Sequence, residues 1–314
     1  MSVTQPSVEI GNEAVVRQVG RRGPATSPGL STHGRGLRSA VHVFLAGLAA
    51  LFVLPLLIVI SASFSSDQAL SEHGYSILPR DFTLDAYRFI FAQPDVVFRA
   101  FGVSLFVTFV GSFLGVLLMA MLAWPLSRRD FRLGKPLSFY VFFTLIFNGG
   151  LVPVYILMVN YLHQRDQVTA LILPYLIIPF FVLILRTYFV GIPNEIVEAA
   201  RIDGAGEWWI FFRIVLPLSK PALATIGIFS VLNFWNDFLQ PILYINNQHL
   251  YTLQYLLYNM IGNVSAAFPV AGGVPVPLQS VRMAMAVIAT VPILITFFFV
   301  QRFFVRGATL GAVK

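Results

Sequence analysis

Cysteine is absent from this 314-residue chain, which excludes a disulfide framework, a thiolate nucleophile and Cys-ligated zinc. Charge is scarce as well. Asp, Glu, Lys and Arg together make up 11% of the residues, where an ordinary soluble domain carries about 25%. The five histidines are scattered and form no HExxH pair, so the sequence offers no metal site of that kind. No GxxxxGK followed by Ser or Thr occurs: Gly134-Lys135-Pro136 lacks both the glycine spacing and the hydroxyl. Residues 1–40 have no apolar core of the kind a cleaved signal peptide needs.

What fills the chain is apolar side chain. The residues A, V, I, L, M, F, W, Y and C reach 57%, and 30 Phe stand against 14 Asp plus Glu. No water-soluble globule buries that much apolar surface, so the composition predicts an integral membrane protein. Six runs are long enough to cross a bilayer core, which takes about 20 apolar residues: 41–60, 100–126, 136–162, 167–185, 221–244 and 283–301. In lipid a spanning backbone must satisfy its own hydrogen bonds, so each run is expected to be helical. The predicted fold class is an all-α integral membrane protein with six transmembrane helices. Its prolines (Pro55, Pro153, Pro174, Pro179, Pro292) mark expected kinks.

Lys and Arg decide the orientation, because they accumulate on the cytoplasmic side of short loops. With the N-terminus inside, sixteen of the 21 basic residues fall inside and five outside (Arg80, Arg88, Arg99, Arg165, Arg282). The excess follows the edges of the apolar runs rather than one polar face, which argues against nucleic-acid binding. Both termini are expected in the cytoplasm. Residues 1–40, rich in Gly, Pro, Ser and Arg, read as a disordered cytoplasmic tail, 41–304 as the spanning domain and 305–314 as a C-terminal cytoplasmic tail. Two long outer loops are expected at 61–99 and 245–282, the second rich in turn formers such as Gly272-Gly273, Pro275 and Pro277.

The segment 192–218, between the fourth and fifth spans on the positive side, is the most informative. Ile192-Pro193-Asn194-Glu195 opens a helix, in which Ile196, Val197, Ala200 and Ile202 are expected to form a small apolar face. Gly204 interrupts it and permits a sharp turn. A second run, 207–215, carries Trp208, Trp209, Phe211 and Phe212 before Leu216-Pro217, which is expected to stop it. On physical grounds alone, this pattern also fits an amphipathic helix lying on the inner leaflet.

Glu198-Ala199-Ala200, then three residues, Gly204, nine residues and Ile214-Val215-Leu216-Pro217 resembles the EAA signature of the membrane subunits of bacterial ABC importers at every fixed position. The flanks Ile192-Pro193-Asn194-Glu195 and Arg201-Ile202-Asp203-Gly204-Ala205, together with Asn148-Gly149-Gly150-Leu151-Val152-Pro153 and Phe303-Phe304-Val305-Arg306-Gly307, are similar to those of the carbohydrate-uptake members. From about residue 40 to 314 the chain resembles the MalG-type sugar permeases, most closely the LplC-like branch. The resemblance implies a location in the bacterial cytoplasmic (inner) membrane and a coupling helix between spans four and five that docks on a separate ATPase. In that role Glu198 would make a polar contact to the ATPase, Gly204 would supply the bend, and Ala199 and Ala200 would permit close docking. Asp203, Ile214, Leu216 and Pro217 complete the segment. The implied partners are a second homologous permease, an ATPase dimer, an extracytoplasmic solute-binding protein reached by the 245–282 loop, and a sugar substrate. That substrate is expected to be an oligosaccharide, with an acidic alginate or pectin type among the candidates. This chain would hold no cofactor and would not itself be an enzyme; ATP and Mg would belong to the ATPase.

The fifth run holds the candidate substrate path. Asn233, Asn236, Asp237, Gln240 and Tyr244 follow i, i+3, i+4, i+7 and i+11, one polar stripe on a helix. Ionisable groups inside a span are expensive and usually face protein or water. Asn, Gln and Asp suit the hydroxyls of a sugar, and Trp235 or Tyr244 could stack on its ring. The alternative is that the stripe packs against another helix through interhelical hydrogen bonds. Asn148 is a weaker path candidate. Arg99 and Arg282 sit at outer span ends, where snorkelling explains them unless the substrate is acidic. A secondary transporter would show internal repeats, of which none is obvious, and an intramembrane enzyme a Ser/His or Asp/Asp pair, where Asp237 is the only acid in the runs and a single Asp makes no dyad. The coupling pattern alone leaves room for a related permease that carries a solute other than a sugar.

Overall fold

A computed structural model describes residues 34–92, 94–262 and 278–310. The expected N-terminal tail up to residue 33, the Gly272-Gly273 and Pro275–Pro277 part of the second long loop, and residues 311–314 lie outside the described residues. Two units are distinguished, Met1–Pro55 and Leu56–Lys314. In the first, helix α1 (Gly34–Ser63) begins; its residues from Ser39 to Pro55 are exposed on every face, as expected of a lipid-facing segment.

The second unit follows as α2 (Asp67–His73), α3 (Asp85–Ala92), α4 (Pro94–Ser127), α5 (Gly134–Ile146) and α6 (Leu151–Ile156). After two short 3-10 turns come α7 (Pro179–Val190), α8 (Asn194–Ile202), α9 (Glu207–Ile210), α10 (Leu216–Leu218), α11 (Lys220–Asn236), α12 (Leu239–Tyr244) and α13 (Leu253–Gly262). A long helix, α14 (Leu278–Leu310), ends the described chain and continues through the first residues of the expected C-terminal tail. Among the described residues no strand forms beyond an isolated Ser65–Phe82 bridge.

Three helical stretches are long and apolar enough to cross a membrane by themselves: Ser39–Ser63, Pro94–Ser127 and Leu278–Phe298. Three further pairs qualify only as bent units. Gly134–Ile146 and Leu151–Tyr161 meet at 110°, Val168–Tyr175 and Pro179–Val190 at 49°, and Glu207–Leu218 and Lys220–Asn236 at 82°. The third and fourth runs are therefore not the continuous helices that their apolar lengths suggest. In the third, Asn148-Gly149-Gly150 breaks the path: Gly150 adopts φ +87°, and the Asn148 side chain accepts a hydrogen bond from its backbone N–H at 2.8 Å. Hydropathy registers length and apolarity, and a glycine break leaves both unchanged.

Helix α4 is the axis of the second unit. Its 34 residues extend over about 51 Å, and three apolar cores follow one another along it. Val97 and Ala100 near its start pack with α3, α13 and α14; Val107 packs with the 3-10 turns and Tyr244; Met119–Leu126 at its end pack with α7 and the segment that follows. Small residues let neighbours approach. A Cβ on Gly111 would lie 2.6 Å from the Phe234 ring of α11, so any other residue at this α4–α11 crossing requires that ring to move.

Candidate functional site

The segment Asn194–Leu218 forms two short helical pieces joined by a tight turn at Gly204. That glycine holds φ +82°, a left-handed conformation that L side chains adopt only with strain. The turn is closed by Asp203 N–H to Ala199 O at 3.0 Å and Ala205 N–H to Ala200 O at 2.9 Å. Beyond α9 the chain passes through one wide π turn, Phe211–Val215, and continues as α10 through Pro217. Leu216-Pro217 thus does not stop the run: a proline in the first turn of a helical piece needs no N–H partner. The break falls at Ser219, where α11 departs at 82°.

Two faces of this segment do different things. Val197, Ala200, Ile210, Phe211 and Val215 are buried against Met119, Ala123 and Trp124 of α4 and Val182, Leu185 and Phe189 of α7. Glu198, Ala199, Asp203, Gly204 and Pro217 are exposed, with Ile214 and Leu216 half-buried. On the exposed side a groove of about 610 Å³ is lined by Ala199, Ala200, Asp203, Gly204, Trp209 and Ile214 among others. The expected apolar face needs correction. Val197 and Ala200 are buried, three residues apart, while Ile196 and Ile202 remain 41% and 86% exposed, because a nine-residue helix turns only one narrow stripe towards α4 and α7. Of the aromatics only Phe211 is buried; Trp208, Trp209 and Phe212 are exposed.

Charged groups that the sequence does not single out join this segment to the end of α4. Arg201 donates from Nε to Glu207 Oε1 at 2.8 Å, across the Gly204 turn, and from Nη1 to Asp130 Oδ2 at 3.1 Å. Burial opposes the charged form of Asp130, but the Arg201 hydrogen bond and the charges of Arg201 and Arg128 outweigh it and hold the carboxyl below its usual range. The Arg128 guanidinium lies 5.1 Å above the Trp124 ring. Arg201 and Glu207 are legible as opposite charges flanking a glycine turn; Asp130 is 71 residues away in sequence and is not.

The polar stripe of the fifth run is not one helical face. Helix α11 ends at Asn236, and Asp237 (φ −74°, ψ 122°) is extended. Its carboxylate accepts from the N–H groups of Leu239 and Gln240 at 3.1 and 3.4 Å and from the Tyr175 hydroxyl at 3.3 Å. The acid satisfies the backbone groups that the break sets free. Asn233 and Asn236 are exposed, the latter donating to Leu232 O at 3.0 Å. Trp235, Gln240 and Tyr244 are buried. Trp235 donates to Ala289 O at 3.1 Å, and Tyr244 stacks on Tyr155 at 5.9 Å. The structure therefore divides the stripe between a half-buried cap, an exposed pair and two packed residues, with Trp235 packed beside them. Asn148 is exposed at its glycine break.

At the opposite end of α4, Arg99 and Arg282 are held by protein groups. Arg99 contacts Nδ1 of His249, and Arg282 donates from Nε to Met260 O at 2.9 Å. Among the described residues no group of three or more His, Asp or Glu is placed to hold a metal ion.

The family model for binding-protein-dependent transport system inner membrane components matches residues 98–309, and the chain belongs to that family. Its relatives include YtcP of Bacillus subtilis (strain 168), a polygalacturonan/rhamnogalacturonan transport system permease protein, 40% identical over 278 residues that cover 87% of this chain and 96% of the relative. LplC of the same organism is 38% identical, covering 87% and 92%. The arabinooligosaccharides transport system permease protein AraQ of Halalkalibacterium halodurans is 34% identical, covering 86% and 94%. Among solved structures, a bacterial ABC transporter involved in the import of the acidic polysaccharide alginate superposes with a TM-score of 0.76 at 25% identity, over 88% of this chain and 100% of that one.

Proposed function

We propose that this chain is one permease subunit of an ATP-driven, binding-protein-dependent importer of oligosaccharides in the bacterial cytoplasmic membrane. Its spans are α1, α4, the bent α5–α6 unit, the 3-10 turns with α7, α11 with α12, and α14, six crossings with both termini in the cytoplasm. Asn194–Leu218 then lies on the cytoplasmic side as the coupling segment, and its exposed groove receives a separate ATPase subunit that binds ATP and Mg. A second homologous permease completes the path, and an extracytoplasmic binding protein delivers the sugar.

The observation that carries this reading is the two-faced coupling segment: Val197, Ala200 and Phe211 seat it in the core of α4 and α7 while Glu198, Ala199, Asp203 and Gly204 stay exposed. A segment rigidly backed on one side and open on the other passes a push from a partner into the helices behind it. The sugar assignment is supported by the names of YtcP and AraQ, and the acidic subclass by the polygalacturonan and alginate named for two of the similar proteins. Asn233, Asn236 and Asn148 are the path residues this reading favours, because they are exposed. The test is ATPase activity of the reconstituted complex in lipid, with binding protein alone and then with a panel of neutral and acidic oligosaccharides. Stimulation by an acidic oligosaccharide is the expected result. Stimulation only by a non-sugar solute would overturn the carbohydrate assignment and leave the coupling role standing.

A further inference from the structure

Covalent connection and apolar packing join the coupling segment to different helices with different completeness. The segment continues directly from α7 through Gly191-Ile192-Pro193 and leads into α11 through Ser219, so a movement reaches those two helices along the chain. Helix α4 ended 67 residues before α8 begins and has no such connection. Packing links α4 to the segment through Ala123 and Trp124. Beyond them the packing leaves a cavity of about 420 Å³, walled by Trp124, Phe131, Trp208 and Phe211. Four charged residues, Arg128, Asp130, Arg201 and Glu207, line the same cavity. Where side chains fail to fill the interval, the ion bridge crosses it.

We infer that Arg201 is a positioning residue for energy coupling: it straps both halves of the coupling segment to the chain just past the end of α4, so that a movement of the segment is delivered to α4 as well as to α7 and α11. The inference rests on the coupling reading above and adds to it the residue that carries the α4 branch. A planar guanidinium suits the task, because Nε and Nη1 address two different carboxylates at once, Glu207 across the turn and Asp130 beyond α4. Arg186, on α7, ties the same end of α4 by donating from Nε to Leu126 O at 2.9 Å. The side chains of Arg201, Asp130 and Glu207 are 36%, 55% and 58% exposed. Exposed pairs add little to folding stability and weaken with salt, so their removal leaves a folded, inserted chain in which coupling alone is altered.

The test uses the full complex, with partner permease, ATPase and binding protein, in proteoliposomes. Sugar uptake per ATP hydrolysed is compared for the unmodified chain, Asp130→Asn, Arg201→Gln and the double variant. Each single substitution is expected to lower that ratio about fivefold, the lower end of ordinary site-to-site couplings. The double is expected to match Arg201→Gln rather than multiply the two losses, since the Asp130 contact is already gone in that variant. Unchanged ratios in the singles, or a multiplied loss in the double, would overturn the strap. A second measurement uses the absence of cysteine from the chain. In an Asp130→Cys, Arg201→Cys variant, joining the two thiols with a flexible bifunctional maleimide is expected to raise the ratio back towards that of the unmodified chain. Uptake abolished by the linkage would contradict a strap that stays closed. An unmodified complex that takes up no sugar would overturn the importer reading and the strap with it, whereas variants that behave like the unmodified complex overturn the strap alone.

Discussion

Two helix–break–helix units in this chain invite comparison, one at Gly204 and one at Asp237. At Gly204 the backbone itself demands the residue: φ is +82° and a Cβ there would meet open space. The charged side chains around that break reach outwards and across, to Glu207 and Asp130. At Asp237 the backbone is ordinary, and the side chain turns inwards to cap the two N–H groups that follow the break. The first break leaves a surface exposed and the second closes on itself. On the proposed topology the difference follows from the solvent each faces. Near water unmet backbone groups are hydrated, while inside a bilayer each must find a protein partner.

The largest effect is expected where the first break is most exacting. Gly204→Leu places a side chain in the left-handed region, a strain of about 1–2 kcal/mol, and projects it into the groove proposed to receive the ATPase. Uptake is expected to fall by about tenfold or more, the equivalent of that strain, with loss of ATPase copurification and normal membrane insertion. Gly204→Asn, which tolerates this conformation, is expected to keep most of both; equal loss in the two variants would show that the turn geometry is not what matters. Next comes the backing of the segment. Phe211→Ala empties a buried site and is expected to destabilise the coupling end by about 3 kcal/mol, read as a lower thermal midpoint of the solubilised protein.

At the second break the effect depends on the hydrogen-bond acceptor and not on the charge. Asp237→Leu leaves two backbone donors and the Tyr175 hydroxyl without their acceptor and is expected to destabilise by about 1–3 kcal/mol. Asp237→Asn keeps an acceptor oxygen and is expected to remain close to the unmodified chain in thermal midpoint. If Asp237→Asn instead abolished uptake at normal stability, the carboxylate would belong to the substrate path. The smallest effect concerns pH. The backbone N–H groups of Asn247 and Asn246 hold Asp166 below its ordinary value of 3.8. Because the folded value is the lower one, the stabilisation is complete above the ordinary value and is lost as pH falls through the folded one. Thermal midpoints are therefore expected to show no pH dependence from Asp166 between about pH 5 and 8, and Asp166→Asn to lower the midpoint slightly there, by an amount that shrinks as pH falls through the folded value.

Much of the first break is legible in the sequence, and little of the second. Glycine at 204, small residues at 199 and 200, and the apolar spacing of Val197 and Ala200 each name their own local reason. The partners behind them do not: Trp124 and Phe189 come from distant helices, and Asp130 is paired with Arg201 only because α4 ends beside the turn. In the fifth run the i, i+3, i+4, i+7 spacing of Asn233 to Gln240 is genuine, but it presumes an unbroken helix. Nothing apolar or periodic changes at Asp237, so a pattern reading carries the helix straight through the cap. The third run shows the same limitation from the other side. Asn148-Gly149-Gly150 is visible as a flexible spot, yet a glycine pair prescribes no particular angle, and the 110° bend is not legible in it.

The most direct test of the account is a cross-link from the exposed face of the coupling segment to the ATPase. With no native cysteine in the chain, Glu198→Cys, Asp203→Cys and, as a control, Asn148→Cys each introduce a single thiol-reactive position. The account predicts that Glu198→Cys and Asp203→Cys link to the ATPase in the assembled complex, with yields that change when ATP is bound, and that Asn148→Cys does not. Failure of both to link in an assembled complex that hydrolyses ATP would contradict it.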